Sequence, residues 1–233
     1  MTEGALRVLT YNVHGQRDDR AALAEVVRAV AADVVIVQEG PRRFGWRNRT
    51  ANLARAFGAV LAVGGLPSLG NLILTDMRVH VHRTWTTRFP LTPGRHMRGA
   101  AFAECSVGRR RFTVAGTHLS LDAAERASQA ELLRAELSAV RTPVVIGADV
   151  NETSGGAAWR TLADGLTDAA VAADATDRCT FPLHGPTGRI DGIFTDPRIE
   201  VVRYDVVDTP LTRRASDHFP VVADLIVPEL PGT

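Results

Sequence analysis

The chain has 233 residues, of which 45% are hydrophobic and 23% charged, and its formal net charge at pH 7 is +1. Those proportions belong to a soluble globular protein and exclude disordered and fibrous classes, while so balanced a charge is silent about partners. All 27 basic residues are Arg, a coding bias first and a preference for bidentate anion contacts only second.

Cys105 and Cys179 are too few for a disulfide framework and lack CxxC spacing, so both read as buried thiols. The opening MTEGALRVLTYN runs straight into a strand without the basic, apolar and small-residue order of a signal peptide. No stretch has the ~18 consecutive apolar residues of a membrane span. A cytoplasmic protein without membrane insertion is expected, provided Met1 is the natural start, and no obligate protein partner is evident.

In chain order, residues 6–11 alternate as a strand that ends at Asn12. Asp19 offers an N-cap to a helix whose Leu23, Val26, Val27 and Val30 recur at helical spacing. Residues 33–38 form an apolar strand ending at Glu39, and a short helix is expected over 52–57. Strand-like segments follow at 59–63, 71–75, 79–86, 100–106 and 111–117. Asp122, with Glu125 three positions on, has the form of a capping box and opens a helix carrying Leu133, Leu137 and Val140. After a strand at 144–148 come a short helix near Trp159 and strands at 190–195, 200–207 and 220–227. No linker, repeat or low-complexity tract interrupts this order, so residues 1–233 read as a single domain with a short Pro-rich tail at 228–233. Many strands with hairpin-length connections predict an α/β fold of two packed mixed sheets with helices outside. A plain βαβ sheet fits less well, because too many strands adjoin without a helix between them.

The run Val144-Val145-Ile146 has no polar face, as in a strand covered on both sides, yet its end carries Asp149 and Asn151 two positions apart. In extended chain the two would face the same way. Taken alone, they read as readily as an Asx turn closing the strand. The pattern recurs, however: Asn12, Glu39, His118, Asp149, Asp191 and the pair Asp217-His218 all stand where an apolar segment stops or starts. Carboxylates gathered at one end of a sheet repel unless a cation sits among them. Spacing alone does not say whether they gather.

The segments that carry these residues resemble the endonuclease/exonuclease/phosphatase superfamily, which includes pancreatic-type deoxyribonucleases, abasic-site endonucleases, neutral sphingomyelinases and inositol polyphosphate phosphatases. The matching motifs are LTYNVHG (9–15), VQE (37–39), GNLILT (70–75), RGAA (98–101), GTHL (116–119), GADVN (147–151), RIDGIFT (189–195) and SDHFPV (216–221), in the family's order along nearly the whole chain. The resemblance implies a four-layer α/β sandwich of two packed mixed β-sheets flanked by helices, with its site at one edge of the sheets. It also implies a Mg²⁺-dependent phosphoesterase, with Mn²⁺ as the substitute ion, that hydrolyses phosphodiesters by attack of water.

Carried over by motif, Glu39 is the principal metal ligand, with Asn12 and Asp217 close to the metal. Asp149 orients or deprotonates the attacking water, and Asn151 holds a phosphate oxygen. His218 stabilises the phosphoryl group or moves a proton, with Asp191 on its other ring nitrogen, and His118 donates to phosphate from the opposite side. Plainer alternatives stand beside these roles: Asp191 as the partner of Arg189, His118 as a satisfied strand-end histidine, and Glu39 as an ordinary surface acid. Two departures stand out. Abasic-site endonucleases usually have Tyr where GTHL has His118, which favours the deoxyribonuclease, sphingomyelinase or phosphatase side. Many relatives also carry an aromatic residue after the Asp of RIDGIFT, where this chain has Gly192, which leaves more room and takes away that substrate contact.

For substrate binding, Arg98 and Asn71 come from their motifs, while the loop after Glu39 offers Arg42, Arg43, Arg47 and Arg49 interleaved with Phe44 and Trp46, a composition that holds phosphates and stacks a base. A solvated loop with its aromatics tucked inward is the alternative. The expected substrate is a phosphate ester, with DNA and RNA the leading candidates and a nuclease the leading activity. A phosphomonoesterase or phospholipid-headgroup hydrolase comes second, and a catalytically inactive nucleic-acid-binding module third.

Overall fold

The computed structural model describes residues 4–229, so the last four residues of the expected tail lie outside it. Its elements are β1 (Ala5–Asn12), α1 (Arg20–Val30), β2 (Val34–Gln38), α2 (Trp46–Phe57), β3 (Val60–Gly64), β4 (Leu72–Thr75), β5 (His80–Arg88), β6 (Gly99–Val107) and β7 (Arg110–His118). The second half adds α3 (Ala123–Leu137), β8 (Val144–Asp149), α4 (Ala157–Ala163), β9 (Thr167–Asp168), α5 (Ala169–Ala172), β10 (Asp191–Thr195), β11 (Glu200–Val206), α6 (Thr212–Ala215) and β12 (Val221–Ile226).

Two six-stranded sheets result, ordered β11-β12-β1-β2-β4-β3 and β5-β6-β7-β8-β10-β9. Each has one parallel pair, β1 with β2 and β7 with β8. A parallel pair needs a long crossover, which α1 and α3 supply.

The strand β2, VVIVQ, shows why the strands lack a polar face. Val34 and Ile36 point into the core between the sheets with Val8, Ile73, Val114, Val145 and Ile193. The alternate residues Val35 and Val37 pack under the first pair of helices with Leu23, Val26, Leu53 and Phe57. A third core does the same on the far side, where Leu133, Trp159 and Leu162 cover Phe102, Ile146 and Phe194. Helix, sheet, sheet and helix make the four layers expected. Two motif glycines keep the sheets close: a Cβ on Gly116 would lie 2.7 Å from Ile36, and one on Gly147 2.6 Å from it. Overpacking of this kind costs about 1–3 kcal/mol.

Several elements differ from the expectation. α2 starts at Trp46 rather than 52, so Trp46, Arg47 and Arg49 ride on a helix and not a loop; its first half buries only Thr50, and Gly45 caps it without a side-chain bond. α3 ends at Leu137, before Val140. Its capping box is half formed: Asp122 accepts from Glu125 N at 3.0 Å, but Glu125 Oε2 accepts from Ser120 Oγ at 2.5 Å. The four-residue helices α5 and α6 were not anticipated, and Cys179 is only half-buried. Arg109–Arg111 lie at the β6–β7 turn, where Val107 pairs with Arg110, at the other end of the strands from His118. Among the described residues, no helix is long and apolar enough to cross a membrane.

Candidate active site

Strand register puts three of the predicted residues in one row. His118 on β7 is aligned with Asp149 on β8, and Asp149 with Asp191 on β10. In the first sheet Asn12 is aligned with Gln38, which places Asn12 and the next residue, Glu39, at the ends of β1 and β2. The two sheet ends meet there. Asn12 Nδ2 donates to Asp149 Oδ2 at 2.8 Å, and His118 Nδ1 stands 4.0 Å from Glu39 Oε1. Asp149 and Asp191 are each 1% exposed, and His118 and His218 each 5%.

Asp149 divides its two oxygens. Oδ1 accepts from Asn151 N at 3.1 Å, the Asx turn that the sequence allowed. Oδ2 takes the Asn12 amide and lies 3.3 Å from His118 Nε2 and 3.9 Å from His218 Nε2. Turn and site therefore coexist on one carboxylate. Asn151 does not continue the strand, as the extended reading required. Its φ is 56° and its Nδ2 donates to Leu119 O at 2.9 Å. Glu39 also has φ 56°. Left-handed backbone costs a non-glycine residue of order 1–2 kcal/mol, least for Asn, and such strain concentrates at functional sites.

His218 Nδ1 lies 2.9 Å from Asp191 Oδ2. Thr180 Oγ1 steadies the carboxylate's backbone by accepting from the N–H groups of Ile190 and Asp191, each at 3.1 Å, and the Phe181 ring packs 4.7 Å from the His218 ring. Arg189 is occupied elsewhere: it grips Asp168 bidentately at 3.1 and 2.9 Å beneath Trp159. That removes the plain alternative for Asp191.

The two histidines diverge in charge. Burial pushes the His118 imidazole down to about 3, against the pull of Asp149 and with the help of Arg98 and His218. Burial is also the largest single influence on His218, but Asp191, Asp149 and Asp217 together outweigh it and raise the group to about 10. At neutral pH the site holds one neutral imidazole and one imidazolium.

The predicted substrate residues separate into two groups. Arg98 and Arg42 come to the cluster. Burial lowers the Arg98 pKa most, Asp149 opposes that and Arg42 reinforces it, and its Nε is buried without a hydrogen-bond partner. Arg42 Nη1 donates to Leu69 O at 3.1 Å. Asn71 and Trp46 have partners of their own. Asn71 is 2% exposed and its amide donates to Ser68 O and Gly99 O, so it braces the β4 start. Trp46 packs against Gly65 and carries Arg47 on its ring at 4.6 Å, and Arg43 is exposed. The space read beside Gly192 is filled: the Trp159 ring would be 2.7 Å from a Cβ there.

Sequence reasoning missed Thr180 and Phe181, which no motif marks. It also missed His14, whose signal was available two residues after Asn12 inside NVHG. His14 N donates to Asn12 Oδ1 at 3.0 Å, and its Nε2 stands 3.7 Å from Asp217 Oδ2.

The donor set fits a hard divalent cation. Ligand atoms of Asp149, Asp191 and His218 lie within 4.8 Å of one another, and Asp191 Oδ1 is buried with no hydrogen-bond partner; with His218 protonated, the two carboxylates are the cation donors of this group. Glu39 and Asp217 add further oxygen at the rim, the chemistry that Mg²⁺ and Mn²⁺ prefer.

A family profile described as the endonuclease/exonuclease/phosphatase family matches residues 9–218. No curated protein sequence matches. Solved structures do. A mannosyl-6-phosphatase from Bacteroides thetaiotaomicron is 18% identical, covering 95% of this chain and 99% of its own with a TM-score of 0.80. D. rerio TDP2 complexed with a single-strand DNA product is 18% identical, covering 96% and 99% with a TM-score of 0.75. The human Nocturnin catalytic domain with bound sulfate is 17% identical, covering 97% and 95% with a TM-score of 0.74. At such identities these neighbours establish the fold, while the profile, spanning LTYNVHG to SDHFPV, establishes descent: the chain belongs to the endonuclease/exonuclease/phosphatase family.

Proposed function

We propose that the chain is a Mg²⁺-dependent phosphodiesterase, a nuclease in the first instance, in which water attacks phosphorus and the P–O bond to the leaving oxygen breaks. The observation that carries this reading is the single row His118–Asp149–Asp191 faced by Asn12 and Glu39 from the other sheet. Glu39 and Asp217, with Asn12, would hold the cation, which when bound neutralises charge on the phosphoryl and leaving oxygens.

This chain's own residues do the rest. Asp149 Oδ2 takes the proton of the attacking water, and the Asn12 amide together with the turn to Asn151 keeps that carboxylate from rotating. The His218 imidazolium, held by Asp191, donates to a phosphoryl oxygen or to the leaving oxygen. Neutral His118 donates one N–H to a phosphoryl oxygen, and Arg98 meets the same anionic group with its guanidinium. Asn151 lies beside Asp149 to hold a further phosphate oxygen.

A nucleic-acid substrate is supported by the surface next to Glu39. Arg43, Arg47 and Arg49 are exposed along the loop and the start of α2, and Phe44 projects fully into solvent, where a base can stack on it. The TDP2 neighbour's single-strand DNA product agrees with this reading. The mannosyl-6-phosphatase neighbour favours a phosphomonoesterase as the second reading. Single-stranded DNA, duplex DNA, RNA, sugar phosphates and sphingomyelin, each assayed with Mg²⁺ and with chelator, separate the two. Chelator-sensitive cleavage of a polynucleotide is the expected result, and turnover of phosphomonoesters alone would overturn the nuclease reading.

A further inference from the structure

Charge is spread unevenly along a chain whose net charge is only +1. Residues 40–103 hold ten arginines and a single acid, Asp76, whereas the rest of the chain holds seventeen arginines and twenty-five acids. Outside that segment, exposed arginines meet acids: Arg178 and Arg203 share Asp205 at 2.9 and 2.8 Å, and Arg213 takes Asp208 at 2.6 Å. Inside it, Arg78 has Asp33 and Arg95 has Asp122. Among the described residues, Arg42, Arg43, Arg47, Arg49, Arg55 and Arg88 form no ion pair, and all but the half-buried Arg42 are exposed.

The fold lays these groups out in sequence from the strand-end cluster. Arg42, which stands near enough to Arg98 to lower its pKa, donates to Leu69 O at 3.1 Å, and Arg88 donates to Pro67 O at 3.2 Å and Leu66 O at 3.3 Å. Both guanidinium groups thus converge on the loop 65–71, and bonds to neutral carbonyls leave their charge uncompensated. Trp46 packs against Gly65 of the same loop and carries Arg47 on its ring at 4.6 Å, which brings the start of α2 alongside. From there Arg47, Ala51 and Arg55 follow at four-residue spacing on one exposed stripe, about 12 Å from first to last.

We infer that this track binds the sugar-phosphate backbone of a polynucleotide beyond the bond to be cleaved, with the outer stripe of α2 as an anchoring surface separate from the strand-end cluster. The inference rests on the nucleic-acid reading given above. Guanidinium groups repeated along a ridge suit a ligand whose charges repeat. A phosphomonoester, with its charge gathered at one end, would leave α2 empty. Between its arginines the helix exposes only Asn48, Ala51 and Asn52. Two of these are amides that hydrogen-bond phosphate oxygens, and none is a large apolar side chain that could enter a bilayer. The chemistry of the stripe therefore fits nucleic acid and not an anionic membrane.

The test is fluorescence anisotropy with a single-stranded DNA of about 15 nucleotides, a length within the range that such surfaces cover, in chelator so that binding is read without cleavage. The native protein, Arg55→Gln, Ala51→Glu and Ala51→Arg are compared over a salt series; all three replacements are good helix formers. Arg55→Gln should weaken binding about fivefold and lower the slope of log affinity against log salt by about 0.7, the single-strand value for one lost phosphate contact. Ala51→Glu should weaken it about tenfold, and Ala51→Arg, which removes nothing from the fold, should tighten it about threefold. With Mg²⁺, Arg55→Gln should raise KM for the long strand and leave its kcat alone, and KM for a dinucleotide, too short to reach α2, should not move. Native affinity and slope in all three variants overturn the track, and so does a KM that rises equally for the dinucleotide. Tighter binding to phosphatidylserine vesicles than to DNA, altered by the same substitutions, would assign the stripe to a membrane and overturn it too. If the native protein cleaves the strand while the variants bind it equally well, the track alone falls, whereas a native protein that neither binds nor cleaves any polynucleotide takes the nuclease reading down with it.

Discussion

The two ends of the central strands use the same ingredient, a buried Asp at a strand terminus, to opposite effect. Where β1 and β2 begin, Asp33 accepts from Arg7 N at 2.7 Å and is gripped by the Arg78 guanidinium, while Arg7 holds Asp224 bidentately at 2.6 and 3.0 Å. Each acid has a guanidinium of its own. Where the same strands finish, Glu39, Asp149, Asp191 and Asp217 share the His218 imidazolium and the half-buried Arg98. A cleft of about 720 Å³ opens at the first end, lined by Arg7, Asp33, Arg78 and Asp224, yet its charges are already matched. That cleft thus has volume without surplus charge. Matched charge marks structure, and surplus negative charge at the other end is what a bound cation would neutralise.

Removing acids at each end tests that contrast, and the largest effect belongs to Glu39. Glu39→Ala should lower turnover by at least about 10³-fold, the scale on which electrostatic stabilisation of a phosphoryl transition state operates. Its melting temperature in chelator should be unchanged or higher, because one like charge leaves a crowded cluster. A variant that keeps its turnover would show that the surplus charge is not the catalytic feature. Asp191→Asn comes next. Without the carboxylate on Nδ1, His218 loses both its orientation and its charge stabilisation, and a loss of about 10²-fold in kcat is expected, within the range for a misplaced general acid. Full kcat in that variant would reduce Asp191 to a packing residue.

The opposite end should answer in stability alone. Asp33→Asn leaves the Arg78 guanidinium, whose side chain is 34% exposed, without its charged partner. Allowing for that partial solvation, the loss is about 2 kcal/mol, read as a lower urea midpoint. Turnover per folded molecule should match the native value. A fall in kcat at full folding would mean that the two ends are coupled and that the contrast drawn between them is wrong.

What was legible in the sequence follows the same physics. Strand ends were visible because an apolar run that stops at Asn12, Glu39, His118 or Asp149 is a break in pattern; two packed sheets followed from many strands with hairpin-length connections, and the four layers from the family resemblance. The row His118–Asp149–Asp191 was not visible, since register is fixed by pairing between strands and not by spacing within them. The start of α2 was hidden because WRNRTA has no apolar period and follows Gly45 rather than a capping side chain. Asn71 stood out through its motif and Trp46 through composition; the Asn71 amide donates to Ser68 O and Gly99 O, and Trp46 packs against Gly65. Thr180 and Phe181 reach His218 and Asp191 only through tertiary structure.

An acid–Arg pair also exists at the end that gathers Asn12 and Asp217, and it sharpens the contrast by showing what exposure does. Asp19 caps α1 by accepting from Ala21 N and Ala22 N, each at 3.0 Å, and meets Arg214, two residues before Ser216. Its carboxyl is held below the usual 3.8, first by the Ala22 N–H and then by the Arg214 guanidinium. A carboxylate whose pKa falls on folding contributes stability that is fully present above the unfolded value and is lost as pH drops through the folded one. Asp19→Asn keeps a good cap and removes only the charge. Its melting temperature should therefore lie below the native one at pH 6 by on the order of 1 °C, since exposed pairs contribute little. The gap should close as pH falls past 3.8 toward the folded value. A gap that persists in acid would assign the effect to cap geometry instead of charge, and a gap as large as that of Asp33→Asn would break the rule that burial decides how much a matched pair contributes.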